Sequence, residues 1–276
     1  TSIGSNAFYN CSSLTQIEMP SGVTSIGNYA FDNCSSLTQI EIPSGVTSIG
    51  SSAFEGCSNL TQIEIPREVT SIGYYAFEYC YSLTQIVVDK DNENYKDEKG
   101  VLYTKDGRKI IKYPEGKTET QYTILSEVTS IGSSAFYNCR SLTQIEIPRG
   151  VTSIGDSAFW ECSKLTEIEI PSGVTSIGSS AFLGCSKLTI ITNQDAEYVI
   201  KYAKENDIKY MTIGYSETNV TNKDVIVTIE SNRQMQEVSG WTLSEDKLKL
   251  TRTYTSNTTA SGENITIKDL AGNTSV

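Results

Sequence analysis

There is no histidine anywhere in the 276 residues. A Ser-His-Asp triad or a Cys-His pair therefore cannot be assembled from this chain. Basic residues are scarce as well, 22 Lys and Arg against 33 Asp and Glu, for a net charge of −11. That balance argues against nucleic acid and against anionic membrane surfaces, both of which call for basic patches. No apolar run approaches the ~18–20 residues needed to cross a bilayer. No C-x-x-C occurs, which removes zinc-ribbon and thioredoxin patterns. A G-x-S-x-G elbow, a P-loop and a G-x-G-x-x-G loop are also missing. There is no initiator Met and no signal peptide, and the opening "TSIG" falls partway through a repeat, so the chain reads as a piece of something longer.

What the chain has is repetition. Its cysteines stand at Cys11, Cys34, Cys57, Cys80, Cys139, Cys162 and Cys185, spaced 23 apart except for one gap of 59. A fixed period of this size means stacked units that bury their apolar faces only against neighbours. The unit reads C-x-x-L-T-x-I-x-I-P-x-x-V-T-S-I-G-x-x-A-F-x-x, and its L-x-x-I-x-I core matches the strand core of a leucine-rich repeat. Adjacent coils ~4.8 Å apart would permit some disulfides. The favoured reading is a free, buried thiol acting as a small apolar residue that closes a turn.

Alternation sketches each coil. Leu37, Ile40 and Ile42 point inward while Gln39 and Glu41 point out, as a period-2 strand requires. Pro43 and Gly45 turn the chain, Val46–Ile49 forms a second short strand, and Gly50 breaks it. Ser51 to Phe54 reads as a capped single helical turn with Phe54 plugging the core. The expected fold is thus an α/β solenoid of 23-residue units over residues 1–213, rich in strand, with single helical turns.

Three segments depart from the repeat. An insert of about 88–125 carries a β-hairpin signal, two alternating runs around Asp106-Gly107. Its "DKDNENYKDEKG" lacks the Gly and Glu of an EF-hand at Asn94 and Gly100, and reads as a solvated acidic turn. A cap over about 190–213 has an expected N-cap at Asn193 or Asp195, then Val199, Ile200 and Ala203 at helical spacing and a strand from Ile208 to Ile213. After a short polar stretch, Gly214 to Thr218, expected to be a hinge, residues 219–276 alternate as strands with Trp241 and Tyr254 for bulk. They read as a small all-β sandwich module, short and incomplete beside an immunoglobulin-like domain of ~100 residues.

The motif "AFxxCxxLTxIxIPxxVTSIG", with the "NYKDEKGVLYTKDGRKIIKYP" interruption and the "AEYVIKYAKENDIKY" cap, resembles the BspA-type leucine-rich repeat family. The "W…TYTSN…ITIKDLAGNTS" stretch is similar to bacterial immunoglobulin-like modules of cell-surface proteins. The resemblance implies a secreted or wall-attached bacterial protein, hence extracellular, that mediates adhesion to host matrix, glycan or another cell's protein. It supplies no catalytic residues and implies no cofactor or metal. A passive wall spacer or a structural surface-layer component is the rival reading.

Stacking aligns the outward residues into columns. One holds Gln16, Gln39, Gln62, Gln85, Gln144 and Glu167; the next holds Glu18, Glu41, Glu64, Val87, Glu146 and Glu169. Carboxylates ~5 Å apart repel by nearly 1 kcal/mol in water. Each Glu is a copy of one strand position, so no acid/base pair in a pocket is implied. A duplicated solvated face explains the columns as well as a stripe for a basic ligand or cations does. An aromatic cluster interrupts them, with Tyr74, Tyr75, Tyr79 and Tyr81 beside Tyr95, Tyr103, Tyr113 and Tyr122; tyrosines in exposed loops favour recognition of protein or sugar, and several of these are expected to pack the hairpin. The expected ligand surface is Glu18, Glu41, Glu64, Glu146, Glu169, Gln62, Gln144, Tyr74 and Tyr75, with contacts centred on Glu64, Glu146 and the Tyr74/Tyr75 region.

Overall fold

The computed structural model of the chain describes residues 1–215, 225–254, 267–268 and 274–275. The coils pair along two parallel ladders, the Gln/Glu one beginning at Gln62–Ile65 and the Ser-Ile one at Ser2–Ile3. Leu37, Ile40, Ile42, Val46 and Ile49 are buried while Gln39 and Glu41 are exposed, so the alternation faces one side to the core. On the first ladder Gln62–Ile65 pairs with Gln85–Val88. Beyond the insert, Gln121–Thr123, Gln144–Glu146, Glu167–Glu169 and Thr189–Asn193 continue in the same manner. The second ladder is built of Ser-Ile dipeptides. Ser2–Ile3, Ser25–Ile26, Ser48–Ile49 and Ser71–Ile72 form one set, and Ser130–Ile131, Ser153–Ile154 and Ser176–Ile177 the other.

The third side of the coil corrects the sequence expectation. Ser51 to Phe54 does not form a helical turn. Ser52 (φ 55°) and Gly56 (φ 70°) are left-handed, and the equivalent pairs recur, as in Asn6 and Asn10 or Ser134 and Asn138. Left-handed residues interrupt a right-handed helix. The main-chain donors then alternate. Glu55 N–H and Cys57 N–H bond within the coil, to Ser52 and Phe54 carbonyls (both 3.2 Å). Ser52, Phe54 and Gly56 N–H bond outward to Tyr74, Ala76 and Glu78 of the next coil, at 2.8, 2.9 and 2.8 Å. Half the bonds a helix would keep for itself hold two coils together.

Close approach explains the invariant glycine after each Ser-Ile. A Cβ on Gly27, Gly50, Gly73, Gly155 or Gly178 would lie 2.3–2.5 Å from a main-chain nitrogen of the preceding coil. Phe54 does fill the core, fully buried, within a column Phe8–Phe31–Phe54–Phe77 whose centroids are 5.1, 5.4 and 6.0 Å apart. All seven cysteines are free thiols, but only Cys34, Cys57, Cys80, Cys139 and Cys162 are buried as expected; Cys11 on the first coil is exposed and Cys185 is half-buried. Instead of only closing a turn, Sγ of Cys34, Cys57 and Cys80 donates to the Phe carbonyl of the preceding coil at 3.2 Å.

In the insert, Tyr95–Glu98, Val101–Thr104 and Lys109–Lys112 form an antiparallel meander, turned at Asp106-Gly107. Asp106 Oδ1 accepts from Thr104 Oγ1 (2.6 Å) and Arg108 N–H (3.0 Å). Lys109–Lys112 also pairs in parallel with Ser130–Ile131 and so founds the second Ser-Ile ladder. Leu102 packs into the N-terminal core, while Val101, Tyr103 and Ile110 pack into the C-terminal one. Tyr113 takes a Phe position, stacked on Phe136 at 5.4 Å, and the column runs on through Phe159 to Phe182. The acidic loop is pegged by buried Asn92, whose Nδ2 donates to the Pro66 and Val69 carbonyls.

The cap helix spans Glu197–Glu205 and buries Val199 and Ala203. Its N-cap is Ala196, without a side-chain cap, and neither Asn193 nor Asp195 serves; Asn193 ends a strand, and Glu197 faces the positive helix end. Lys209–Tyr215 follows as the next parallel rung. Gly214 and Tyr215, expected to begin the hinge, are strand residues paired to Thr228 and Val227; positions 216–218 lie outside the described residues. Val225–Ser231, Lys249–Tyr254 and Thr242–Leu243 extend the same sheet antiparallel, over a small core of Met211, Ile229, Met235 and Leu250. Ile267–Lys268 and Thr274–Ser275 pair antiparallel as a separate two-stranded sheet, and the rest of 255–276 lies outside the described residues.

Candidate functional site

Glu18, Glu41, Glu64, Glu146, Glu169, Gln62 and Gln144 all project to solvent; Glu64, Glu146, Glu169, Gln62 and Gln144 stand on paired strands, whereas Glu18 and Glu41 precede the first of them. Strand pairing fixes what each meets sideways. Gln85 Nε2 donates to Gln62 Oε1, and Gln121 Nε2 donates to Gln144 Oε1 at 3.2 Å. Thr123 Oγ1 donates to Glu146 Oε2 at 3.0 Å. Glu64 stands opposite Val87, and Glu169 opposite Ile191, so the acidic column is interrupted at both places. Glu18 and Glu41 flank an open trough between the first two coils, together with Gln16 and Gln39.

The tyrosines divide. Tyr103 and Tyr113 are core residues, and Tyr122 packs on them, with Tyr103 and Tyr122 hydroxyls 2.5 Å apart. Tyr79 is half-buried and bonds Tyr137 hydroxyl to hydroxyl at 2.7 Å. Tyr74, Tyr75 and Tyr81 remain exposed, at 71, 49 and 50 %. Tyr74 and Tyr75 follow Ser71–Ile72, on the corner after the Ser-Ile ladder, and line a cleft of about 360 Å³. Glu64 and Glu146 do not line it, so the expected surface falls into two regions.

The floor of this cleft holds ionisable residues that the sequence reading missed. Lys112 Nζ and Glu115 Oε1 form a buried pair at 2.9 Å. Burial works most strongly against the Lys112 ammonium, but Glu115, Cys139 and Glu78 together outweigh it, and the pKa is raised. Glu115 Oε1 also accepts Tyr79 N–H at 3.1 Å. Glu78 and Ser134 are buried, and Glu78 Oε1 and Ser134 Oγ have no hydrogen-bond partner. Burial raises the Glu78 pKa, with the nearby Ser134 hydroxyl and the Lys112 charge pulling the other way. The available signal was Lys112 and Glu115 three apart in "KYPE", at the place where a full coil carries its Ala-Phe corner. Among the described residues, no group of three or more acidic or cysteine side chains is arranged to hold a metal ion, and no helix is long and apolar enough to cross a membrane.

A β-solenoid with repeated exposed columns and a single interrupting insert defines the class, a leucine-rich-repeat protein. Six copies of the BspA type Leucine rich repeat region match residues 1–99 and 115–225, and the chain belongs to that family. Two solved structures are similar in sequence as well as fold. One is a leucine-rich repeat protein from Eubacterium ventriosum, 31% identical, TM-score 0.51, covering 65% of this chain and 60% of its own. The other is a leucine rich cell surface protein from Faecalibacterium prausnitzii, 33% identical, TM-score 0.59, covering 70% and 57%. The pneumococcal vaccine antigen PcpA shares the fold at 22% identity and TM-score 0.51, over 63% of this chain and 55% of its own. This chain therefore spans less than two thirds of each of these proteins. No curated protein matches it.

Proposed function

We propose that this is a non-enzymatic binding protein of the bacterial cell surface, secreted or wall-attached, that adheres to a protein or glycan of host matrix or of a neighbouring cell. The observation that supports it is the Gln/Glu ladder. Its side chains are exposed, repeat in one register, and are tied laterally by amide and hydroxyl hydrogen bonds rather than gathered into a pocket. Such a face suits an extended partner lying along the stack. The F. prausnitzii neighbour's description as a cell surface protein supports the location. Residues 1–213 are the proposed binding solenoid, and 219–276 a proposed immunoglobulin-like β module that presents it.

The test is a variant with Glu41, Glu64, Glu146 and Glu169 changed to Gln, assayed on immobilised matrix proteins and glycans across ionic strength. Removing like charges that each cost up to ~1 kcal/mol leaves the variant as stable or slightly more so. Affinity for a basic partner falls and its salt dependence flattens. Unaltered affinity with unaltered salt response rejects this face. Absence of saturable binding to every surface tested leaves a passive wall spacer.

A further inference from the structure

The repeat breaks between Phe77 and Tyr113, and a cleft opens at the break. In coil three, the corner donors Ser52, Phe54 and Gly56 N–H all find carbonyls in coil four. In coil four the equivalent donors are Tyr75, Phe77 and Tyr79. Tyr79 N–H is taken by Glu115 Oε1, 3.1 Å away. Among the described residues, Tyr75 and Phe77 N–H reach no carbonyl of the following segment, and the Ser133 carbonyl across the gap receives no main-chain donor. The insert has displaced the coil that would have satisfied them.

These groups line one space of about 360 Å³, between the Tyr74–Glu78 corner, the Lys109–Lys112 strand and Ser133–Ser134. That is at the small end of ligand clefts, about 300–1,000 Å³. Glu78 (7 % exposed) and Ser134 (4 %) line it side by side, close enough for the Ser134 hydroxyl to favour the Glu78 carboxylate, yet neither Glu78 Oε1 nor Ser134 Oγ makes a hydrogen bond of full geometry. Polar groups buried without partners cost about 1–3 kcal/mol each, so a ligand that completes them gains what the fold forgoes. Tyr74 and Tyr75 stand exposed at the mouth, with rings 6.3 Å apart and tilted by 50°. Tyr95, half-buried, also lines the space.

The inventory selects a ligand class. Two main-chain N–H groups donate, the Ser133 carbonyl accepts, the Ser134 hydroxyl does both, and Glu78 accepts. An anion would meet Glu78 and the Ser133 carbonyl unfavourably; a cation would meet two N–H groups and Lys109. Lys112 is already neutralised by Glu115. A sugar ring carries hydroxyls that donate and accept in turn, and apolar C–H faces that lie against aromatic rings. We propose that this cleft binds a neutral sugar ring, a hexose or N-acetylhexosamine, as the terminal unit of a surface glycan. The site is separate from the Gln/Glu face and stands without it.

Four free sugars serve as probes: glucose, galactose, mannose and N-acetylglucosamine, each titrated into isotope-labelled whole protein while Tyr75 and Phe77 amide resonances are followed. At least one sugar gives saturable shifts confined to the cleft, with a Kd on the order of 1 mM. Tyr74→Ala, at an exposed position, and Glu78→Gln, which keeps the shape, each weaken it about tenfold or more. Glu64→Gln leaves it unchanged, which separates this site from the acidic face. The proposal is overturned if none of the four sugars gives a saturable shift, or if binding survives both cleft variants. It is equally overturned if acetate or methylammonium binds there more tightly than any sugar, or if the amides report bound water only.

Discussion

Cys57 stands at a position where a disulfide or a metal ligand might be sought, yet its thiol donates to the Phe31 carbonyl at 3.2 Å and is fully buried. Burial pushes the Cys34 thiol up to about 11, and the thiols of Cys57, Cys80, Cys139 and Cys162 are raised further, burial again coming first. A folded-state pKa above the unfolded value means that the neutral thiol's contribution is complete below the unfolded value of 9.0 and is lost as pH rises through the folded one, near 11 for Cys34. At pH 8 a thiol reagent on native protein therefore modifies exposed Cys11 first and leaves the buried thiols intact until denaturant is added. Mass spectrometry of peptides reads this directly. Labelling of Cys57 or Cys139 as fast as Cys11 would refute the buried arrangement.

Within a coil the telling element is the corner after Ser-Ile. A Cβ at Gly155 would lie 2.4 Å from Ser133 N, whereas at Gly45 the nearest atom, the Val23 carbonyl oxygen, is 3.6 Å away. Gly155→Ala is expected to cost about 1–3 kcal/mol through overpacking against backbone. Gly45→Ala is expected to be neutral, or to stabilise by about 0.4–1 kcal/mol through the unfolded chain. Urea midpoints compare the two, and equal effects would remove close approach as the reason for the glycine. Much of the coil is legible in sequence, because alternation at Leu37, Ile40 and Ile42 is a local signal. The corner is not: Ser-Ser-Ala-Phe is compatible with a helical turn, and only hydrogen bonds to residues 22 positions away decide otherwise. The same holds for the sites. The Gln and Glu columns follow from period and alternation, whereas Glu78 and Ser134 meet in a cleft created by a missing neighbour, which no local pattern encodes. Of the eight tyrosines the sequence leaves open which pack the hairpin, because alternation around Tyr103 and Tyr113 marks strands but not which side a second core fills.

At the scale of the molecule one strand has two allegiances. Lys209–Tyr215 is the last parallel rung of the solenoid and the antiparallel partner of Val225–Ser231, and Met211 on it belongs to the C-terminal core. A protease site placed between Tyr215 and Val225 should, once cut, leave two fragments that co-elute in native buffer and part in denaturant. Fragments that separate on cutting would instead favour a free-standing module joined by a hinge.

The break in the phenylalanine column also bears on how such a chain changes over generations. Each coil meets its neighbours through the same contacts, so one 23-residue unit is interchangeable with the next. Recombination between near-identical stretches of coding DNA can then add or delete whole coils in frame on either side of the insert. The junction from Phe77 to Tyr113, where a repeat phenylalanine meets an insert residue that takes its successor's place, offers no near-identical stretch for such exchange.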